Sequence, residues 1–321
     1  MRRVRNHAFL WASLFLLLWA ISLPKPGNVL NESGAASSGA FRPGDVGKSL
    51  VTPKGVVWIY GDSWHAGYFI RNAVTLNGKY TGTIAKGMPP GRWMWLAAPF
   101  VLPSGKLGAF GSEMMQNGSG MWGFKRVGQV YVEFDPANPE GARVTRIDKT
   151  STPWSSASSA DSSGPLVYTI DSKHHPRVGR PSPDGTVDSL ATLKAQLSGQ
   201  FSVLKDNNGR WWMVGLGIML SRKLWAYPLA GPQGPINGKK VLLTTLPSPG
   251  ENHYVYHANI HPEEGGLLTW AINGKGAGEE YGLRRMDNFW PAALGAAQDN
   301  RTDPAPDEAD DDSADTYAPG D

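Results

Sequence analysis

Residues Gln200–Leu216 read QFSVLKDNNGRWWMVGL. Phe201–Leu204 is an apolar run, Asp206-Asn207-Asn208-Gly209 is a turn, and Trp211–Leu216 is a second apolar run. Two short apolar runs joined through a glycine turn predict a pair of antiparallel strands. The same plan recurs at Leu96–Phe110, Ser159–Ile170 and His257–Ile272, and a further unit begins at Val56. The starts lie roughly 40–60 residues apart, which is the length of a four-stranded propeller blade rather than of a smaller solenoid repeat. The expected fold is therefore all-β, a five-bladed β-propeller over residues 51–295. One stretch, Val187–Leu197, is expected to be a short helix.

Composition agrees with many hairpins. The 321 residues include 39 glycines and 25 prolines, 13 tryptophans and no cysteine. Without cysteine there is no disulfide framework, no thiolate metal site and no cysteine nucleophile. The central region is mildly basic, but no Lys/Arg-rich run interrupts it, so nucleic acid is not expected as a partner.

Both ends differ from the middle. Met1–Asn6 is basic, Ala8–Leu23 is apolar apart from two serines, and Pro24 ends the run. That is the layout of a hydrophobic export or anchor helix, either cleaved as a signal peptide or kept as a membrane anchor over residues 1–24. Positive charge before the run places the rest of the chain outside the cytoplasm, in the periplasm or at the cell surface. Residues 25–50 are rich in Gly, Ser, Pro and Ala and are expected to be a flexible tether. Residues 296–321 hold nine acids and one base and are expected to be a disordered acidic tail.

Four segments carry a family likeness. The first is Val57-Trp58-Ile59-Tyr60-Gly61-Asp62-Ser63-Trp64 with Arg71-Asn72-Ala73 downstream. The second runs from Trp95 to Phe110 and on to Gly123-Phe124 and Val130–Asp135. The third runs from Gly199-Gln200-Phe201 through Arg210-Trp211-Trp212 to Gly231–Pro235. The fourth is Tyr256–Glu263 followed by Leu267–Asn273. In this order, over about residues 52–290, they resemble the bacterial five-bladed β-propellers related to furanosidase-type glycoside hydrolases, a group that includes endo-D-arabinanases. The stretch Trp154–Ile170 departs most from the pattern. The resemblance implies an oligo- or polysaccharide as partner, either hydrolysed or only bound.

Glycoside hydrolysis needs two carboxyl groups, one protonated and one ionised. By the resemblance, Asp62 is the candidate base or nucleophile; its other reading is a turn-capping residue. Glu113 is the one acid between Asp62 and Glu133, and Asp161 follows the Ser-rich Ser155–Ala160. Either is a candidate second carboxyl or an ordinary surface acid. Indoles stack on sugar C–H faces, so Trp64, Trp93 and Trp95 are candidate sugar contacts, with blade packing as the alternative. His65, Arg71, Asn72, Glu263 and Arg285 are further candidate contacts. His261, before Pro262, resembles the family's site-facing histidine, whereas His257 is expected to pack inside a blade. On a regular strand the two histidines lie about 13 Å apart, too far to share a metal. No cofactor is expected, although an axial Ca²⁺ is compatible with such a funnel. No phosphate loop, Gly-x-Ser-x-Gly elbow or His-Glu-x-x-His motif occurs, which leaves nucleotide-dependent and serine-hydrolase chemistry unsupported.

Overall fold

A computed structural model describes residues 41–118, 123–147, 153–274, 281–290 and 294. The expected export helix and acidic tail lie outside them. Among the described residues no helix is long and apolar enough to cross a membrane.

The described chain is built from antiparallel sheets. The first holds β2 (Lys48–Thr52), β3 (Gly55–Tyr60), β6 (Ala73–Leu76) and β7 (Lys79–Gly82). The second holds β8 (Arg92–Val101), β9 (Leu107–Gln116), β10 (Phe124–Asp135) and β11 (Asn138–Ile147). The third holds β12 (Ala157–Asp161), β13 (Gly164–Ile170), β14 (Pro176–Pro181) and β15 (Val187–Thr192). The fourth holds β16 (Phe201–Lys205), β17 (Trp211–Leu216), β18 (Lys223–Leu229) and β19 (Val241–Thr245). The fifth holds β20 (His253–His261), β21 (Leu267–Gly274) and β22 (Gly282–Met286). Within each, neighbours in sequence pair as neighbours in space. A small extra sheet joins β1 (Phe41–Arg42), β4 (Ser63–His65) and β5 (Tyr68–Ile70).

The five larger sheets form a closed ring. Their first strands touch in the cycle β2–β8–β12–β16–β20 and back to β2. The apolar core is divided among the five sheet-to-sheet contacts, and strand alternation explains how. On β3, Val57 and Ile59 pack toward the second sheet, while Trp58 and Tyr60 pack toward the fifth. On β10, Val130, Val132 and Phe134 face the first sheet and Tyr131 faces the third. On β17, Trp212, Val214 and Leu216 face the fifth sheet and Met213 faces the third. Strands buried on both faces read as continuous apolar runs, which is why these middle strands stand out in the sequence.

Two expectations change. Val187–Thr192, expected to begin a helix, is the outer strand β15, paired with β14. Its apolar spacing is compatible with a helix, but it supplies the unpaired edge of β14 with hydrogen bonds. Residues 41–50, expected in the tether, are folded: β1 pairs with β4 and β2 pairs with β3. The Pro53-Lys54-Gly55 turn makes β2 and β3 a hairpin like the others, so the first unit begins before Val56.

Candidate active site

A cavity of about 850 Å³ opens where the first strands begin. Asp45, Asp62, Trp64, Arg71, Trp95 and Tyr256 are on its wall, together with Phe69, Ser198, Gln200, Leu220, His257 and Tyr281. The strands position these groups by their ends. Asp45 precedes β2, Asp62 sits between β3 and β4, Trp95 is on β8, and Tyr256 is on β20.

Asp45 and Asp62 are stitched together. The backbone N–H of Asp62 donates to Asp45 Oδ1 at 3.0 Å. The N–H of Gly61 donates to the Asp45 carbonyl at 3.0 Å, and the N–H of Gly44 donates to Ser63 Oγ at 3.2 Å. Both glycines are required by this approach. A Cβ on Gly61 would collide with Asp45 Oδ1, and one on Gly44 would collide with the Asp62 carbonyl.

The two carboxyls have different surroundings. Tyr256 donates its hydroxyl to Asp45 Oδ2 at 2.9 Å. Burial and the adjacent Asp62 charge push the Asp45 carboxyl up to about 7. Burial raises Asp62 as well, but the indole N–H of Trp95 donates to Asp62 Oδ1 at 2.7 Å and Arg71 Nη1 donates to Oδ2 at 3.3 Å, favouring its ionised form. Both are raised, and only Asp62 has a cationic partner, Arg71, that favours its ionised form, which suits the pair to opposite protonation states.

The sequence candidates divide by place. Asp62, Trp64, Arg71 and Trp95 meet on the cavity wall. Trp93 lies behind, its ring 4.2 Å from the Arg71 guanidinium. His65 stacks on Tyr80 at 4.0 Å. Asn72 is buried and bridges the Ile84 backbone, holding the start of the second sheet. Arg285 pairs with Asp287 on the surface.

Glu113 and Asp161 do not join Asp62. Glu113 is 1% exposed on β9, ion-paired with Arg92 at 2.7 Å and Arg146 at 2.9 Å. Against the cost of burial, these guanidiniums hold its carboxyl below the usual carboxylate range. Strand alternation sends its neighbour Ser112 to the cavity and Glu113 to the opposite face. Asp161 ends β12 and pairs with Arg180 at 2.8 Å, which keeps it ionised and low.

His261 and Glu263 line a second cavity of about 420 Å³ at the far ends of the first strands. Ser49 Oγ bonds both, and His261 Nε2 meets Thr269 Oγ1 at 2.8 Å. Asp45 was hidden in a segment whose composition resembles a tether. The signal that locates it is the β2–β3 hairpin, whose first strand it precedes. His257, expected inside a blade, reaches the cavity wall because β20 is irregular between Tyr256 and Asn259.

Among the described residues no group of three or more His, Asp or Glu side chains could hold a metal. Lys48 instead donates to the carbonyl of Phe201 and to Asn259 Oδ1, inside the ring. Oxygens already bound to a buried ammonium do not fit an axial Ca²⁺.

No sequence-family model matches the chain, and no curated protein matches it. Solved structures do. A putative hydrolase from Bacteroides ovatus has a TM-score of 0.59 at 15% identity, over 84% of this chain and 90% of that one. A GH43_1 enzyme from Xanthomonas citri, complexed with xylotriose, has a TM-score of 0.52 at 14% identity, over 77% and 90%. A protein of unknown function from Dyadobacter fermentans has a TM-score of 0.52 at 10% identity, over 88% and 85%. The fold is thus the β-propeller of GH43-type glycoside hydrolases. At these identities the likeness concerns the fold.

Proposed function

We propose that the protein is a five-bladed propeller that hydrolyses an oligo- or polysaccharide outside the cytoplasm, with Asp45 and Asp62 as its catalytic pair. The observation that carries this reading is the pair itself, joined through one backbone N–H and set in contrasting environments. Asp45, raised to about 7, is the general acid that protonates the leaving oxygen. Asp62, held by Trp95 and Arg71, is the ionised partner that attacks the anomeric carbon. Trp64 and Phe69 line the cavity beside it and supply apolar surface for sugar C–H groups. The resemblance to a family containing endo-D-arabinanases makes pentofuranose polymers the first substrates to try. The basic and apolar start of the chain supports export, with the segment cleaved or retained as an anchor.

The test is release of reducing ends from a panel of cell-wall and capsular glycans by the full chain and by Asp62→Asn. The reading expects release by the first alone. No release by either leaves a glycan-binding or envelope-assembly propeller without catalysis as the function; equal release by both removes Asp62 from the mechanism.

A further inference from the structure

The cavity has two chemically different walls. Asp45, Asp62 and Arg71, its charged groups, come from the chain around the first sheet. The wall supplied by the fourth and fifth sheets is uncharged and, apart from Leu220, polar. Ser198 and Gln200 stand just before β16, and His257 stands in the irregular part of β20.

Three buried atoms on that uncharged wall have no hydrogen-bond partner among the described residues: Ser198 Oγ, Gln200 Oε1 and His257 Nδ1. Gln200 is only 7% exposed. Buried polar atoms are paired in the great majority of cases, so three orphans in residues that line one cavity need an explanation. Backbone geometry gives a second pointer. His257 has φ +53°, a left-handed conformation that is uncommon for a residue other than glycine. The register shift puts two consecutive residues, Tyr256 and His257, on the same cavity, which regular alternation forbids.

The orphan atoms define a chemistry. An amide oxygen only accepts, a serine hydroxyl does both, and a neutral imidazole nitrogen does one or the other according to tautomer. Burial, and the Lys48 charge nearby, pull the His257 imidazole down to about 3, so it is neutral in use. A hydroxyl, which donates and accepts, satisfies all three. A carboxylate does not: it cannot donate to Gln200, Arg71 is already committed to Asp62, and the acid pair repels it.

We infer that Ser198, Gln200 and His257 form a hydroxyl-reading subsite for an uncharged sugar residue, selecting neutral glycans over uronate-containing ones. This rests on the reading of the cavity as a glycan site and adds the class of sugar and the residues that choose it.

The experiment uses the full chain carrying Asp62→Asn, titrated calorimetrically with arabinotriose, xylotriose and a galacturonate trisaccharide. Ser198→Ala, Gln200→Leu and His257→Asn are added singly; asparagine tolerates the left-handed backbone. At least one neutral trisaccharide should bind and the uronate should not. Each added change should weaken binding about tenfold, as expected for one hydrogen bond lost to a buried partner. The melting temperature of Gln200→Leu should not fall, because Oε1 has no internal partner to lose. Binding of the uronate as tight as the neutral sugars, unchanged affinity in all three variants, or no binding of either neutral sugar overturns the inference. Hydrolysis by the unmodified chain is read separately. If it is absent while the variants still weaken binding, the catalytic reading falls and the subsite stands. If it is present with KM unaltered in the same changes made alone, the reverse holds.

Discussion

The backbone N–H of Asp62 points at the carboxylate of Asp45, 3.0 Å from Oδ1. One peptide group therefore joins the loop before β2 to the turn after β3, and it brings the carboxyls of the two residues to the same end of the ring. Ser63, Gly44 and Gly61 tighten the same junction.

The junction forecasts stereochemistry. Carboxyls about 5 Å apart belong to retaining enzymes, and wider spacings of roughly 6.5–9.5 Å leave room for water in inverting ones. The Asp62 backbone N–H on Asp45 Oδ1 keeps the two residues adjacent, and the close-set class is the prediction. Proton NMR of the first product formed should show retained anomeric configuration. Asp45→Asn should lower kcat/KM on a substrate with a poor leaving group by about 10²–10⁴, and much less on an activated aryl glycoside that departs without protonation.

The pH profile should be bell-shaped. Activity falls as pH rises through about 7, where Asp45 loses its proton, and falls on the acid side as Asp62 gains one. Asp45→Asn should remove the alkaline limb. Inversion of that assignment, with the acid limb lost instead, would exchange the roles of the two residues.

Stability should follow the same group. Because the folded-state value of Asp45 is raised from 3.8 to about 7, the stability tied to its protonated form is present below 3.8 and lost as pH rises through 7. Neutral His257 works in the opposite sense between about 3 and 6.5, so the wild-type slope alone is uninformative. The difference between Asp45→Asn and the wild type isolates Asp45. It should grow in favour of the variant from pH 4 to pH 7, by roughly 4 kcal/mol if the whole shift is realised, in denaturant melts at fixed temperature. A difference independent of pH would mean that Asp45 is ionised in the fold throughout.

Gly61→Ala should damage both folding and activity. The added methyl collides with Asp45 Oδ1, a carboxyl oxygen pinned by the Asp62 N–H, so the junction must open. A loss of about 1–3 kcal/mol is the scale for such overpacking. Gly91, whose Cβ would meet nothing within 4 Å, is the control for activity, although its φ of +73° makes alanine there mildly strained.

Glu113→Gln should lower the melting temperature while sparing the chemistry. The carboxylate is buried between Arg92 and Arg146 and away from the cavity. Removing one member of a buried ionic set costs about 3–5 kcal/mol, less here because both arginines reach solvent. The pH limbs of the folded variant should coincide with those of the wild type. A shifted limb would bring Glu113 back into the site.

Much of the ring is written locally. The runs Phe201–Leu204 and Trp211–Leu216 emerge as β16 and β17 because their hairpin is closed by an adjacent turn and both faces of β17 are buried. Val187–Thr192 was illegible for the opposite reason: an outer strand with mostly exposed side chains has no strong period, and its partner β14 decides its conformation. The site follows the same division. Asp62 is legible because the motif around it is distinctive. Asp45 is not, since a Gly/Pro-rich approach looks like a linker until β2 is paired. Glu113 was a plausible second acid by spacing, but no spacing tells which face of β9 it takes. His257 reaches the site through a register shift, which regular periodicity cannot anticipate.

Tyr256 and Asp45 are 211 positions apart, and their hydrogen bond lies on the seam between the last sheet and the first. Synthesis from the N-terminus makes Asp45 first, and its acceptor Oδ2 waits for a hydroxyl made 211 residues later. A nascent chain therefore lacks this bond to the proposed catalytic pair until its fifth sheet docks. The order of manufacture acts as a timer: the site stays open on this side while the ring is incomplete, and the seam is where unfolding under strain should first disrupt it.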